Sequence, residues 1–283
     1  MAGNSPSLWR LGDGRELDCA ADRIVGIVNV TPDSFYDGGR HDTVAAAVAH
    51  GLRLARDGAD ILDVGGESTR PGAAPVADAE EIARVVPVVA GLAVALPEMP
   101  LSVDTYRAGC AAAALDAGAV IVNDVSACSF DPGLLEVVAA RKPGYVLMHS
   151  PGRPDVMQQS PRYGDVVEEI LAFFEEKLSL LTRAGLPEEH VVLDPGIGFG
   201  KLLEHNLAIL RRLDRFAVLG RPLYLGLSNK SFLGALLDLP VDRRGPATAV
   251  ASALCAAKGA RLHRVHDVAS VKTALRLAAS LAA

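Results

Sequence analysis

The sequence predicts an α/β protein, a closed parallel (β/α)8 barrel of the TIM type, as a single domain over 1–283 with a short N-terminal hairpin within 1–23. Three observations predict it. Eight short β-branched runs alternate with Ala/Leu-rich amphipathic stretches, the signature of repeated βα units. The chain has 283 residues, 50% of them hydrophobic, which suits one barrel, for which about 250 residues is typical. Nearly every β-branched run also ends in a chemically useful polar residue, and parallel barrels carry their chemistry at the C-terminal ends of the strands.

The units follow in order. The strand-like run 24–29 precedes a helical stretch at 43–57, and 60–64 precedes 78–96. Then 101–103 leads to 107–117, 120–123 to 132–140, and 145–149 through a long loop to 163–184. Finally 191–194 leads to 204–213, 223–226 to 231–237, and 260–266, after an extra Ala-rich helix near 248–258, to 268–281. Gly12-Asp13-Gly14 supplies the turn of the hairpin. Eight units favour closure over a doubly wound open sheet, and no phosphate fingerprint follows the first run as an open sheet would require.

Composition narrows the function classes. A net charge of -6 and the lack of a strongly basic run argue against a nucleic-acid partner. Cys19, Cys110, Cys128 and Cys255 form no C-x-x-C pair and read as thiols of a reducing cytosol. No apolar signal core opens the chain, and the apolar stretches break well short of a membrane span. The expectation is a soluble cytoplasmic protein acting on small molecules.

The strand ends carry Asn29, Asp63 with Glu67, Asp104, Asn123, His149, Asp194, Lys230, and Arg264 with His266. One such residue means little, because caps and turns favour Asp and Asn. Together they predict a ring of donors and carboxylates around one pocket. The loop Gly65-Gly66-Glu67-Ser68-Thr69-Arg70-Pro71-Gly72 joins close-approach glycines to a hydroxyl and a guanidinium, which suits an oxyanion. Alternation points Arg264 and His266 to one side, where they suit a diphosphate. Asp194-Pro195-Gly196-Ile197-Gly198-Phe199-Gly200-Lys201 is neither a Walker A loop nor G-x-G-x-x-G. Its glycines are expected to let a flat ligand approach the backbone beside Asp194. Zinc is disfavoured because His149 and His266 lack a third ligand at useful spacing, and no serine-hydrolase elbow is present.

At this point the residues resemble the dihydropteroate synthases, a family of pterin-binding enzymes. The matching segments are NVTPDSF (29–35), DVGGESTRPGA (63–73), SVDT (102–105), ND (123–124), LMH (147–149), DPGIGFGK (194–201), SNKS (228–231) and RVHDV (264–268), in order and over nearly the whole chain. The resemblance implies condensation of 6-hydroxymethyl-7,8-dihydropterin pyrophosphate with 4-aminobenzoate, releasing pyrophosphate. It implies that Asp104, Asn123, Asp194 and Lys230 hold the pterin, and that Asn29, Thr69, Arg264 and His266 serve the pyrophosphate. Phe35, Thr69, Pro71, Phe199, Ser228 and Ser231 are implied to receive 4-aminobenzoate. Asn29 resembles the ligand of Mg2+, the cofactor the family uses. Asp104, Asp194, Lys230, Arg264 and His266 are then the catalytic set, and a homodimer is expected because dimers are common in the family. One departure stands out: the family usually has Arg where this chain has Asn229, losing a group that stacks on the pterin. That departure leaves open a pterin-binding paralogue of altered or absent activity. A pterin-dependent methyltransferase of the same broad superfamily is the other alternative.

Overall fold

The computed structural model describes residues 8–30, 40–67, 76–153, 157 and 161–282. A hairpin comes first. Its strands β1 (Leu8–Arg10) and β2 (Glu16–Asp18) pair antiparallel with Trp9 opposite Leu17. Eight strands then form a closed parallel barrel: β3 (Arg23–Asn29), β4 (Ile61–Gly65), β5 (Leu101–Asp104), β6 (Ile121–Asp124), β7 (Gly144–Met148), β8 (Val191–Asp194), β9 (Leu223–Gly226) and β10 (Ala260–Val265). They neighbour one another in chain order, and β10 closes the ring against β3. The barrel and hairpin are those the sequence predicts.

The strands carry their residues on two faces with period two. Outward residues such as Val28, Leu62, Val103, Val122, Leu147, Leu193 and Leu225 join the large apolar cluster beneath the helices. Inward residues Val25, Ile61, Ile121, Val146, Val192, Tyr224 and Leu262 form a second cluster with Trp9 and Leu11 of the hairpin segment. The hairpin therefore plugs the N-terminal end of the barrel. Trp9, fully buried, donates its indole N–H to the His190 carbonyl at 2.7 Å, just ahead of β8. A Cβ at Gly144 would lie 2.9 Å from a Leu11 methyl and 3.1 Å from the Trp9 ring, so the plug requires glycine there.

The helices are α1 (Arg40–Asp57), α2 (Asp78–Ala95), α3 (Ala108–Asp116), α4 (Gly133–Arg141), α5 (Val166–Ala184), α6 (Leu203–Arg211), α7 (Ser231–Leu237), α8 (Gly245–Ala256) and α9 (Val268–Ala282). Most boundaries shift by one to three residues from the sequence reading, and two of the shifts have a clear physical reason. α5 begins at 166 rather than 163 because Asp165 is its N-cap, accepting from the N–H of Val167 at 3.0 Å. α8 begins at 245 rather than 248 because Pro246 occupies its first turn, where a missing N–H costs nothing. A 3-10 stretch, Leu213–Leu219, follows α6, beginning where the sequence reading ended its helix, at 213, and continuing where it placed no element. All four cysteines are free and buried.

Candidate active site

The inward face changes character toward the C-terminal ends of the strands. One inward step beyond the apolar plug stand Asp63 on β4, Asn123 on β6, Asp194 on β8 and Arg264 on β10. Asp104 ends β5 opposite Gly65 and Asn123. Lys230 follows β9 and precedes α7.

Arg264 is the centre of the network. Its Nε lies 2.6 Å from Asp63 Oδ2 and its Nη2 lies 2.6 Å from Asp104 Oδ2. Asn123 Nδ2 donates to the same Asp63 oxygen at 3.0 Å. Burial works against the Arg264 charge, but the two carboxylates outweigh it and leave its pKa raised. Asp104 is shifted upward, chiefly by burial, with Arg264 opposing and Asp63 and Glu81 reinforcing. Burial likewise pushes Asp194 up to about 6, against the Gly196 N–H that donates to its Oδ1 at 2.8 Å and against the Lys230 charge. Lys230 is brought down to about 8 by burial, with Asp194 opposing. Its Nζ lies 4.1 Å from the Phe199 ring centroid, so the ammonium shares the mouth with an aromatic face.

The structure brings Asp104, Asn123, Asp194, Lys230, Phe199 and Arg264 together. Ser228 and His266 form a neighbouring pair, with Oγ and Nδ1 2.8 Å apart and the His266 backbone N–H donating back to Oγ at 3.3 Å. Asn29 ends β3, and Ser231 opens α7. Phe35, Thr69 and Pro71 lie outside the described residues.

Two strand-end residues turn elsewhere. His149 is buried against Lys201, whose Nζ lies 3.0 Å from its Nδ1 and donates to the carbonyls of Phe199 and His149 at 2.9 and 3.3 Å. Burial, then the Lys201 charge, takes His149 down to about 3, so its neutral ring accepts from the ammonium. Glu67 joins Arg107 at 2.7 Å, and Arg107 also pairs with Glu81 at 2.6 Å and donates to the Val76 carbonyl at 2.7 Å. Val76 N–H donates to Glu67 at 3.2 Å, so this network ties 67 to 76. The glycines after Asp194 also differ from expectation. They are required by the chain's own close approaches: a Cβ at Gly196 would lie 2.0 Å from the His149 carbonyl oxygen, and one at Gly200 2.1 Å from Pro151. Both have positive φ, 70° and 56°.

The structure adds two things the sequence reading missed. Asp63 is the shared anchor of Arg264 and Asn123, a role signalled only by its inward alternation with Ile61. Asn229 adopts a left-handed backbone, φ 55°, which Asn tolerates better than most residues. Its N–H donates to Thr248 Oγ1 at 3.2 Å and its carbonyl accepts from Arg244 Nη1 at 3.1 Å. Arg244 thus reaches this turn, bound to backbone carbonyls.

Residues 25–266 match the family described as pterin binding enzyme. Dihydropteroate synthase of Escherichia coli (strain K12) is 42% identical over 264 residues, covering 93% of each chain. The chain belongs to the dihydropteroate synthase family. Membership makes it a transferase, and the solved structures agree. A Xanthomonas albilineans dihydropteroate synthase with 4-aminobenzoic acid superposes with a TM-score of 0.90 at 46% identity, over 97% of this chain and 98% of that one. Another structure of the Xanthomonas albilineans enzyme, in complex with 7,8-dihydropteroate, gives 0.87 at 44% identity, over 97% and 99%.

Proposed function

We propose that the barrel mouth binds 6-hydroxymethyl-7,8-dihydropterin pyrophosphate and 4-aminobenzoate in the cytosol and joins them into 7,8-dihydropteroate. The observation that carries the reading is the Asp63–Arg264–Asp104 network with Asn123, Asp194 and Lys230 beside it, in a family whose members bind both reaction partners' chemistry. A pterin edge presents amino and ring N–H donors, which match the buried oxygens of Asp104 and Asp194. Without such donors those carboxylates pay a desolvation penalty, as their raised pKa values record. Asn123 and Lys230 supply complementary polar groups to the remaining edge atoms, and Phe199 offers an apolar ring beside the Lys230 charge.

In the reaction the C–O bond between the pterin methylene and the diphosphate breaks, and its electron pair leaves on the diphosphate. The nitrogen of 4-aminobenzoate forms the new C–N bond and then loses a proton. Positive charge spreading into the pterin as the C–O bond lengthens is stabilised by Asp104 and Asp194, which are fixed in place before the reaction begins. Arg264 and His266 meet the leaving diphosphate, and Thr69 serves the same group. Phe35, Pro71, Phe199, Ser228 and Ser231 orient the 4-aminobenzoate.

Mg2+ fits this donor set in one way. Among the described residues no group of three or more His, Cys, Asp or Glu could hold a metal, whereas Asn29 offers a single neutral amide oxygen at the end of β3. Mg2+ keeps several waters and binds phosphate oxygens readily, so one protein ligand suffices for an ion that arrives with the diphosphate. When bound there, it supplies charge neutralisation to the leaving group.

The reading includes a homodimer, tested by sedimentation. The activity is tested by incubating the protein with the pterin pyrophosphate, 4-aminobenzoate and Mg2+ and following dihydropteroate by chromatography. Formation of the product is expected. Pterin binding without turnover overturns the reading in favour of a non-catalytic paralogue.

A further inference from the structure

Asp63 has no part in the chemistry proposed above. It has no exposed surface. In the sheet it pairs in register with Ile27 on β3 and Ser102 on β5. Asp104 lies two residues beyond Ser102 on the same inward face, so Asp63 sits one step deeper in the barrel than Asp104. Asp104 and Arg264 keep some exposure to the mouth where Asp63 has none, with side chains 11% and 19% exposed.

The bonds of Asp63 are one-sided. Its Oδ2 takes both Arg264 Nε at 2.6 Å and Asn123 Nδ2 at 3.0 Å, while Oδ1 has no hydrogen-bond partner among the described residues. A buried carboxylate with an unmatched oxygen is destabilising. An apolar residue, like those of the plug just below, would serve the fold better. The arrangement therefore makes sense through what it fixes. Because Asn123 gives one Nδ2–H to Asp63, its amide is held in one of its two flip states, and Oδ1 and the second N–H remain to meet a heterocycle edge. Because Arg264 gives Nε to Asp63 and Nη2 to Asp104, its planar fork is held in one orientation.

We infer that Asp63 is the positioning residue of this site: its buried carboxylate sets the orientation of the Arg264 guanidinium and the Asn123 amide toward the pterin pyrophosphate. The inference rests on the reaction read above. It also predicts a coupling of charges. Asp104 faces Arg264 from β10, Asp63 from β4, Lys230 from the segment after β9 and Glu81 from α2. Of these, Asp63 is a like charge sharing the same guanidinium.

The test is Asp63→Asn, assayed for kcat/KM against pH and for binding of 6-hydroxymethylpterin against pH by titration calorimetry. Wild-type turnover decides the reaction by itself, whereas the binding titration tests Asp63 whether or not turnover occurs. In the variant, kcat/KM and pterin affinity are expected to fall about 10- to 100-fold, as for loss of a charge-assisted hydrogen bond. The acid limbs of both profiles move to lower pH, because the like charge opposing ionisation of Asp104 is gone. A residue with a merely structural role would leave those limbs in place, as the control Ser102→Ala is expected to do. Asp63→Ser, smaller than the native residue, carries the same expectation should Asp63→Asn not fold. Unchanged affinity and unshifted limbs in a folded variant overturn the inference. Failure of both variants to fold overturns it equally, by making Asp63 a folding residue.

Discussion

The two ends of the barrel interior are built from the same strands and the same inward face, yet they are opposites. At the N-terminal end, Val25, Ile61, Ile121, Val146, Val192, Tyr224 and Leu262 close on Trp9 and Leu11 of the hairpin segment. One inward step along β4, β6, β8 and β10, the residues become Asp63, Asn123, Asp194 and Arg264. The first layer gains from burial. In the second layer, burial raises Asp194 to about 6 and lowers Lys230 to about 8, the direction that disfavours each charge. The comparison teaches that stability and chemistry are separated along the barrel axis by a single pleat, with the apolar end carrying the cost of the polar one.

Trp9→Ala should break the plug and spare the mouth. Removing a fully buried indole is expected to cost about 3–5 kcal/mol of unfolding free energy, read from urea melts, while kcat/KM per folded molecule stays within a few-fold. A large kinetic change would mean that the two ends are not independent. Asp104→Asn should do the reverse. Turnover is expected to drop about 100- to 1000-fold, with the melting temperature little changed, because Asn keeps an oxygen for Arg264 while shedding a charge that burial disfavours. Unchanged kinetics would remove Asp104 from the site.

The pH dependence sharpens the contrast at the mouth. Asp194 has a folded pKa of about 6, raised above the ordinary carboxylate range by burial. Its stabilising contribution is thus fully present below the unfolded pKa and is lost as pH rises through about 6. Activity runs the other way, since the carboxylate is the useful form. The expected acid limb of kcat/KM is shared by Asp104 and Asp194, both raised by burial, and kcat/KM has fallen once pH drops through about 6, while thermal stability does not fall on account of Asp194. A rate profile flat down to pH about 4, the ordinary carboxylate value, would show that ionised Asp194 is not required.

The smallest effect is expected from Asn229→Arg. The position has φ 55°, so replacing Asn there should cost about 1 kcal/mol of stability, measured by thermal melts. Pterin affinity should be kept or improved by the added guanidinium. A marked loss of affinity would show that the turn held by Thr248 and Arg244 shapes the pocket differently from the rest of the family.

Much of the site was legible because each residue ends a strand run and inward alternation is a local property. Asp104, Asn123, Asp194 and Arg264 followed from that alone, with Lys230 in the loop just past the end of β9. Other strand ends show where the local rule stops. His149 and Glu67 satisfy it equally well, but Lys201 and Arg107, distant in sequence, draw them into buried polar networks outside the Asp63–Arg264–Asp104 cluster. The glycines of 194–201 could be read as needing a close approach, but not as to what: the neighbours are the chain's own His149 carbonyl and Pro151.

By itself the amino-acid order determined the number and sequence of βα units, the closed barrel and the end of it that carries chemistry, because strand period, helix period and turn residues act over a few neighbours. Only the tertiary structure decided that Asp63 and Asp104 share one guanidinium from a strand 160 or more positions away, and that burial moves the pKa values of Asp104 and Asp194 upward. Those are consequences of closing a ring of strands, which sets the distance between charges and the water left around them, and neither quantity is a property of any segment taken alone.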